Sequence, residues 1–364
     1  MKVSVNFIQG AFIEIKAAPD IEYYIQFIDK DTDTLLHDGI IKNNMWIKCS
    51  YEYFINYRIK LLTAQTREII KTFDFNGADK RIFITFESSS LGDSLGWIPF
   101  VEEFRIKHKC KIICSTFHNE IFKSEYPEIE FVRPGSTVNG LYAMYCVGCF
   151  DDIHKNKVPW NTLNNQEICS SFLGLEFKEI RPKILVKNKN RPISEKYVCI
   201  SPTSTAGAKL WNAPNGWETV IEYLLSKNIK VVILSQENKE FAKLDSKVIY
   251  PYTKNIHNLI QWINGCEFHI GLCSGNSWLA FALNKKTIMI GGFSHETTEF
   301  YTPHRIINKN VCYGCWNDTR YKFDKADWNW CPRLKETERT FECSKQIGPE
   351  LVIGAIDSIL DSKN

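Results

Sequence analysis

No apolar run in this chain is long enough to cross a bilayer. Its apolar stretches, such as Leu279 to Leu283 and Thr287 to Ile290, fall far short of the ~20 residues a spanning helix needs. The first ten residues, MKVSVNFIQG, alternate polar and apolar and contain no leader-like apolar block. Both absences predict a cytoplasmic protein with no membrane span. Charge of one sign is also scarce: 45 Lys and Arg against 42 Asp and Glu leave a net of +3. That surplus is too small to predict a nucleic-acid partner. The sequence has no H-E-x-x-H, no G-x-S-x-G and no G-x-x-x-x-G-K-[ST]. Zinc peptidase, serine hydrolase and Walker A chemistry are therefore unsupported. No DxD-type pair stands near the candidate loops, so no Mg²⁺ is expected.

Cysteine is abundant. Thirteen in 364 residues is an odd count, and in a cytosolic chain it reads as free thiols plus a metal site rather than a disulfide framework. Four of them are spaced Cys312-x2-Cys315-x15-Cys331-x11-Cys343 within a polar, Trp-rich insert. Four thiolates enclose one tetrahedral ion, zinc or a rubredoxin-like iron, and fill its shell. A closed shell predicts a structural site, one that shapes a docking surface for subunits or acceptor and does not touch the substrate. Cys146-x-x-Cys149 lies in a strand-like run and reads as core.

The length predicts more than one domain. Residues 1–80 alternate as half-buried strands, most clearly from Tyr51 to Leu61, and read as a β-rich N-terminal domain, a barrel or a sandwich. From Arg81 the texture changes to short continuous apolar runs separated by amphipathic helices, the pattern of an open α/β sheet. RIFITF, KIICS, IEFV and YAMYCVGCF are the strands of a first Rossmann-like domain, 81–185. A basic, Pro-containing stretch over 181–196 reads as a linker. YVCIS, KVVIL, KVIY, EFHI and TIMI are the strands of a second Rossmann-like domain, 186–305. The four-Cys metal finger occupies 306–346, and a C-terminal helix 347–364.

Three loops carry candidate chemistry, because ligands in open sheets sit beyond the carboxyl ends of strands. The first is SSSLGDSLG (88–96), where Asp93 is the only carboxylate in the turn. Two readings stand side by side: a crevice-facing base, or the N-cap of the next helix. The second is SPTSTAGAKLW (201–211), where Thr203, Ser204, Thr205 and Lys209 suit a phosphate cradle. The third is GLCSGNSWLA (271–280), where Ser274, Gly275 and Ser277 open a helix whose N-terminus attracts phosphate. Ser274 and Ser277 also suit plain capping. His269 reads as a core residue, and His295 as one that lines the crevice.

Two α/β halves with a phosphate site in the second resemble a GT-B glycosyltransferase. KLW (209–211), Trp217 opening a helix, VVIL, and SGNSWLAFALNKKTIMIGGF (274–293) resemble the ADP-heptose glycosyltransferases. Lipopolysaccharide members of that family commonly carry Asp-Ser-Gly where this chain has Cys273-Ser274-Gly275. The Gly92-Asp93 turn, the Ser274 to Ala280 stretch and the cysteine spacing resemble more closely the bacterial autotransporter heptosyltransferases. Those combine a β-rich N-terminal domain, a GT-B core and a four-Cys finger. The resemblance implies inverting transfer of heptose from ADP-heptose to Ser or Thr hydroxyls of an autotransporter passenger domain, with Asp93 as general base. It also implies iron at Cys312, Cys315, Cys331 and Cys343, and a homo-oligomer such as the family's dodecamers. Fold analogy places adenine near Ser235, Gln236 and Glu237. The alternatives are a lipopolysaccharide-type heptosyltransferase acting on glycolipid, and a non-catalytic GT-B assembly module.

Overall fold

The computed structural model describes residues 1–235, 247–324 and 326–362. The chain opens with seven strands: β1 (Lys2–Ile8), β2 (Ala11–Lys16), β3 (Tyr23–Asp29), β4 (Thr34–Ile41), β5 (Met45–Cys49), β6 (Tyr57–Thr63) and β7 (Ile69–Asp74). In β3 and β6 the side chains alternate between core and surface, so each buries one face. The alternation expected from Tyr51 begins as a strand only at Tyr57. Before it, the Glu52 and Phe54 amides bond the carbonyls of His154 and Phe172, which takes the backbone away from any ladder.

These strands do not make one barrel. β4-β3-β6-β7 form a four-stranded antiparallel sheet, whereas β1, β2 and β5 continue the sheet that follows. That sheet uses β8 (Arg81–Phe86), α1 (Leu91–His108), β9 (Lys111–Ser115), α2 (Asn119–Phe122), β10 (Ile129–Phe131), β11 (Ala143–Val147) and α3 (Asn165–Phe172). Its order is β10-β9-β8-β11-β1-β2-β5. The seam is parallel, with Phe7 opposite Ala143 and the Phe7 amide on the Tyr142 carbonyl at 2.8 Å. The expectation of a separate barrel or sandwich over 1–80 differs from this. The physical reason is a shared core, in which Phe7, Ile13 and Ile15 are buried with Ile82 and Ile84.

Asn164 starts α3 with a full capping box, its side chain taking the Gln166 amide while Glu167 reaches back to the Asn164 amide. The basic stretch after it is docked rather than loose. The Leu185 amide bonds the Ile121 carbonyl, and the Lys183 amide bonds the Tyr126 hydroxyl.

The second half contains β12 (Tyr197–Ser201), α4 (Gly216–Ser226), β13 (Lys230–Ile233), β14 (Val248–Ile249), α5 (Ile256–Gly265), β15 (His269–Leu272), α6 (Gly275–Ala282), β16 (Thr287–Ile290) and β17 (Arg305–Ile306). Their sheet is parallel throughout, in the order β14-β13-β12-β15-β16-β17. β12 is buried along its whole length, as its unbroken YVCIS run requires. After the cysteine insert come α7 (Glu342–Lys345) and α8 (Pro349–Asp361). Val352, Ile356 and Ile359 of α8 join Val220, Ile221 and Leu224 of α4 in the core on one face of this sheet. Each such side chain contributes about 1.5–3 kcal/mol on burial.

Candidate active site

Two cavities meet where the carboxyl ends of the two sheets face each other. The smaller, about 350 Å³, is lined by Glu87, Asp93 and Glu299 together with Lys209 and several aromatic rings. The larger, about 1660 Å³, is lined by Lys187, Lys209, Lys254 and two histidines, with Glu120 its one acidic residue among the described lining. Ser88, Ser90, Thr205, Lys209, Cys273, Ser274 and Gly275 border both. The smaller chamber is thus acidic and the larger cleft basic, with a thin wall between. A basic cleft suits a diphosphate, and a carboxylate in a half-enclosed chamber suits proton abstraction.

The capping reading of Asp93 does not hold. Ser90 is the N-cap of α1, with extended backbone and no side-chain cap bond, and Asp93 is the third helical residue. The helix N-terminus favours a carboxylate there. The Ser88 hydroxyl donates to Asp93 Oδ2 at 2.5 Å and accepts the Ser90 amide at 3.1 Å. Ser88 thus fixes one carboxylate oxygen and ties the strand end to the helix start. It sits five residues before Asp93 in the same turn, a signal the sequence carried without marking it.

Gly92 and Gly275 bring two helix N-termini together. A Cβ on Gly92 would stand 3.3 Å from Trp278 Cδ1 and 3.6 Å from Gly275 Cα. A Cβ on Gly275 would stand 3.0 Å from Leu91 Cβ and 3.2 Å from the Gly92 nitrogen. Neither glycine leaves room for a side chain without displacement. Trp278 and Asn165 complete the joint: the Trp278 indole donates to Glu299 at 2.5 Å, and Asn165 donates to the Gly92 carbonyl at 3.2 Å. Glu299, Trp278 and Asn165 line the smaller cavity and were not singled out from the sequence.

The donor-loop residues divide. Thr203, Ser204, Thr205 and Lys209 line the larger cleft, and Ser274 and Gly275 border both cavities. Ser274 is the N-cap of α6 without a side-chain cap bond. Ser277 lines neither cavity. It is fully buried and donates to the Leu272 carbonyl at 2.6 Å, so it closes the strand-to-helix turn instead of meeting a ligand. Ser235 follows β13 and lines neither cavity, whereas Gln236 and Glu237 lie outside the described residues.

Histidine readings also separate. His269 is wholly buried, bonds Ser201 at 2.9 Å and is held neutral, its pKa pushed down to about 3 by burial. Its Nδ1 has no hydrogen-bond partner among the described residues. Ser201 in turn accepts from Asn276, which lines the larger cleft. His118 borders the same cleft, and burial lowers its pKa too. His295 lines neither cavity; its amide bonds Asn317 at 2.8 Å, and its ring lies against Tyr313 of the cysteine insert. Cys149, expected in the core, is half-buried in the wall of the smaller chamber.

Cys315 and Cys331 are buried, and Cys312 and Cys343 half-buried. Burial pushes the Cys343 thiol up to about 12, and the neighbouring Cys315, Cys331 and Cys312 reinforce it. The four sulfurs are therefore electrostatic neighbours, a donor set whose chemistry suits a thiolate-bound ion. Among the described residues, however, no three His, Cys, Asp or Glu side chains are placed as a ready coordination group. The insert is also nearer the chemistry than expected, because Trp316 and Phe323 line the Asp93 chamber and Trp328 the larger cleft. No helix among the described residues is long and apolar enough to cross a membrane.

The model of glycosyltransferase family 9 (heptosyltransferase) matches residues 152–326. The autotransporter heptosyltransferase TibC of Escherichia coli O78:H11 is 31% identical over 357 residues, covering 94% of this chain and 86% of TibC. The autotransporter heptosyltransferase BAHTCr of Citrobacter rodentium is 32% identical over 358 residues, 94% of this chain and 86% of that one. The inactive autotransporter heptosyltransferase BimC of Burkholderia thailandensis is 31% identical over 356 residues, 94% and 82% respectively. The crystal structure of TibC, an iron-containing dodecameric glycosyltransferase, matches with TM-score 0.89 and 30% identity over 100% of this chain and 97% of that one. TibC in complex with ADP-D-beta-D-heptose matches equally well, at TM-score 0.89, 30% identity and the same coverage of both chains.

Proposed function

Since the chain belongs to the autotransporter heptosyltransferase family, we propose that this glycosyltransferase moves heptose from ADP-heptose to Ser or Thr hydroxyls of an autotransporter passenger domain. The observation that carries the reading is the shared wall: Asp93 and Lys209 face one small chamber, and Lys209 and the α6 N-terminus also face the basic cleft. The diphosphate lies in the cleft and the sugar reaches through toward Asp93. The acceptor hydroxyl oxygen attacks the anomeric carbon, and its proton passes to the Asp93 carboxylate. The bond from that carbon to the diphosphate oxygen breaks, and its electron pair leaves with ADP. Lys209, the hydroxyls of Thr203, Ser204 and Thr205, and the amides at Ser274 and Gly275 take up the developing charge. Direct displacement inverts the anomeric centre.

TibC contains iron, which supports iron rather than zinc as the metal proposed for Cys312, Cys315, Cys331 and Cys343. Held there by four thiolates, it would cross-link the insert and serve structure rather than the reaction. A dodecamer like that of TibC is the proposed assembly. The domain limits 1–80, 81–185, 186–305, 306–346 and 347–364 are kept as functional units, with β1, β2 and β5 shared between the first two.

The test is incubation with ADP-heptose and a passenger fragment, followed by intact-mass measurement of the fragment. A heptose-sized gain that Asp93→Asn abolishes, while ADP-heptose still binds, is the expected result. No gain on polypeptide but transfer to a lipopolysaccharide acceptor would select the glycolipid enzyme. No transfer at all, with assembly intact, would place the chain beside the inactive BimC.

A further inference from the structure

Three consecutive residues of the Lys209 turn are each held by the cysteine insert. The Gly207 amide donates to the Trp328 carbonyl at 3.0 Å. Ala208 is buried in a small separate core with Phe293, Cys315 and Trp330. Lys209 Nζ stands 5.3 Å from the Trp316 ring centre and 5.8 Å from that of Phe293, within cation–π range. Trp316 is itself clamped. Its amide donates to the Phe293 carbonyl at 3.0 Å, and its carbonyl accepts from Asn161 of the first half at 3.2 Å. Its ring meets Trp160 edge-on at 5.0 Å and Phe323 at 5.0 Å.

Gly207 shows that the fit is close. A Cβ there would stand 2.7 Å from the Trp328 carbonyl oxygen and 2.9 Å from its indole nitrogen. Gly207 is not among the residues with left-handed backbone, so its glycine serves the close approach and not the conformation.

We propose that the cysteine insert is the scaffold of the donor-binding turn, with Trp316 as a positioning residue for Lys209. A lysine side chain loses rotamer entropy when fixed. The aromatic walls restrict it before the donor arrives and leave the ammonium facing the boundary between the two cavities. The Gly207 contact sets the height of the turn, and Ala208 anchors it. The insert therefore acts on the donor through the chain's own residues, in addition to any part it has in assembly. This inference rests on the reading of Lys209 as a diphosphate ligand.

Gly207→Ala, Trp316→Ala and Trp316→Phe, made in the full-length iron-loaded oligomer, test it. ADP affinity is read by calorimetry, and backbone order at 203–209 by hydrogen exchange. Trp316→Ala is expected to weaken ADP about 10-fold, one cation–π contact's worth, and Gly207→Ala to weaken it by displacing the turn from Trp328. They also speed exchange across the turn, with iron content unchanged. Trp316→Phe keeps a ring under Lys209 and retains most of the affinity. Equal ADP affinity and equal exchange in wild type and both alanine variants would overturn the scaffold role. A wild-type protein that does not bind ADP would overturn the donor reading of Lys209 and this inference with it. Should Trp316→Ala fail to fold, Gly207→Ala decides, because it leaves the cysteines and Trp316 in place and acts only where the turn meets Trp328.

Discussion

Removing the Ser88 hydroxyl probes Asp93, the proposed base, without touching it. Ser88→Ala deletes the donor that sits 2.5 Å from Asp93 Oδ2. A hydrogen bond to a charged group contributes about 1.5–3 kcal/mol. Since it favours the ionised carboxylate, its loss favours the protonated form. The acid limb of the kcat/KM profile should move to higher pH. The carboxylate also loses its orientation, so kcat at the plateau should fall by about 10-fold or more, while donor KM changes little. Ser88→Thr keeps the hydroxyl and should restore the acid limb. The assay is initial rate of heptose transfer across pH 5 to 9, with ADP-heptose affinity measured in parallel. An unmoved acid limb in a folded Ser88→Ala variant would refute the role of Asp93 as base, the role of Ser88 in holding it, or both. Asp93→Asn separates these: retained transfer there removes the base role itself.

Two further perturbations test other parts of the molecule. His269 is neutral in the fold down to about pH 3, whereas an exposed histidine protonates near 6.5. Its contribution to stability is therefore full above 6.5 and is lost progressively as pH falls toward 3. At pH 5 the loss is about 2 kcal/mol, and denaturant unfolding at pH 7 and pH 5 should show a smaller difference in His269→Asn. Cys331→Ser should lose iron first and assembly with it, with activity falling as a consequence. Metal analysis and sedimentation check this, and an intact oligomer without metal would overturn the assembly role.

Parallel strands such as Tyr197–Ser201 and Thr287–Ile290 were legible because they are buried on both faces and read as unbroken apolar runs, whereas the half-buried Arg305–Ile306 carried no such run. A helix start was legible where small polar residues marked it, as at Ser274 and Gly275. The partner of β1 was not, because pairing Phe7 with Ala143 is a long-range choice on which local alternation is silent. Ser277 shows the matching limit at the site. A serine at a helix start suits a phosphate ligand and a turn-closing donor equally, and only the Leu272 carbonyl at 2.6 Å decides. Trp316 and Trp328 were visible as aromatics among cysteines, but their reach back to residues 207–209 is a tertiary fact.

The Gly92–Gly275 contact acts as a gauge. On the proposed mechanism, the span from Asp93 to the amides at Ser274 and Gly275 is fixed where these two turns touch, with Trp278 and Leu91 packed against the joint. A methyl group on either glycine would be a shim that asks its neighbours to give by a few tenths of an ångström. The chamber walls could then change with the acceptor while that one dimension is kept.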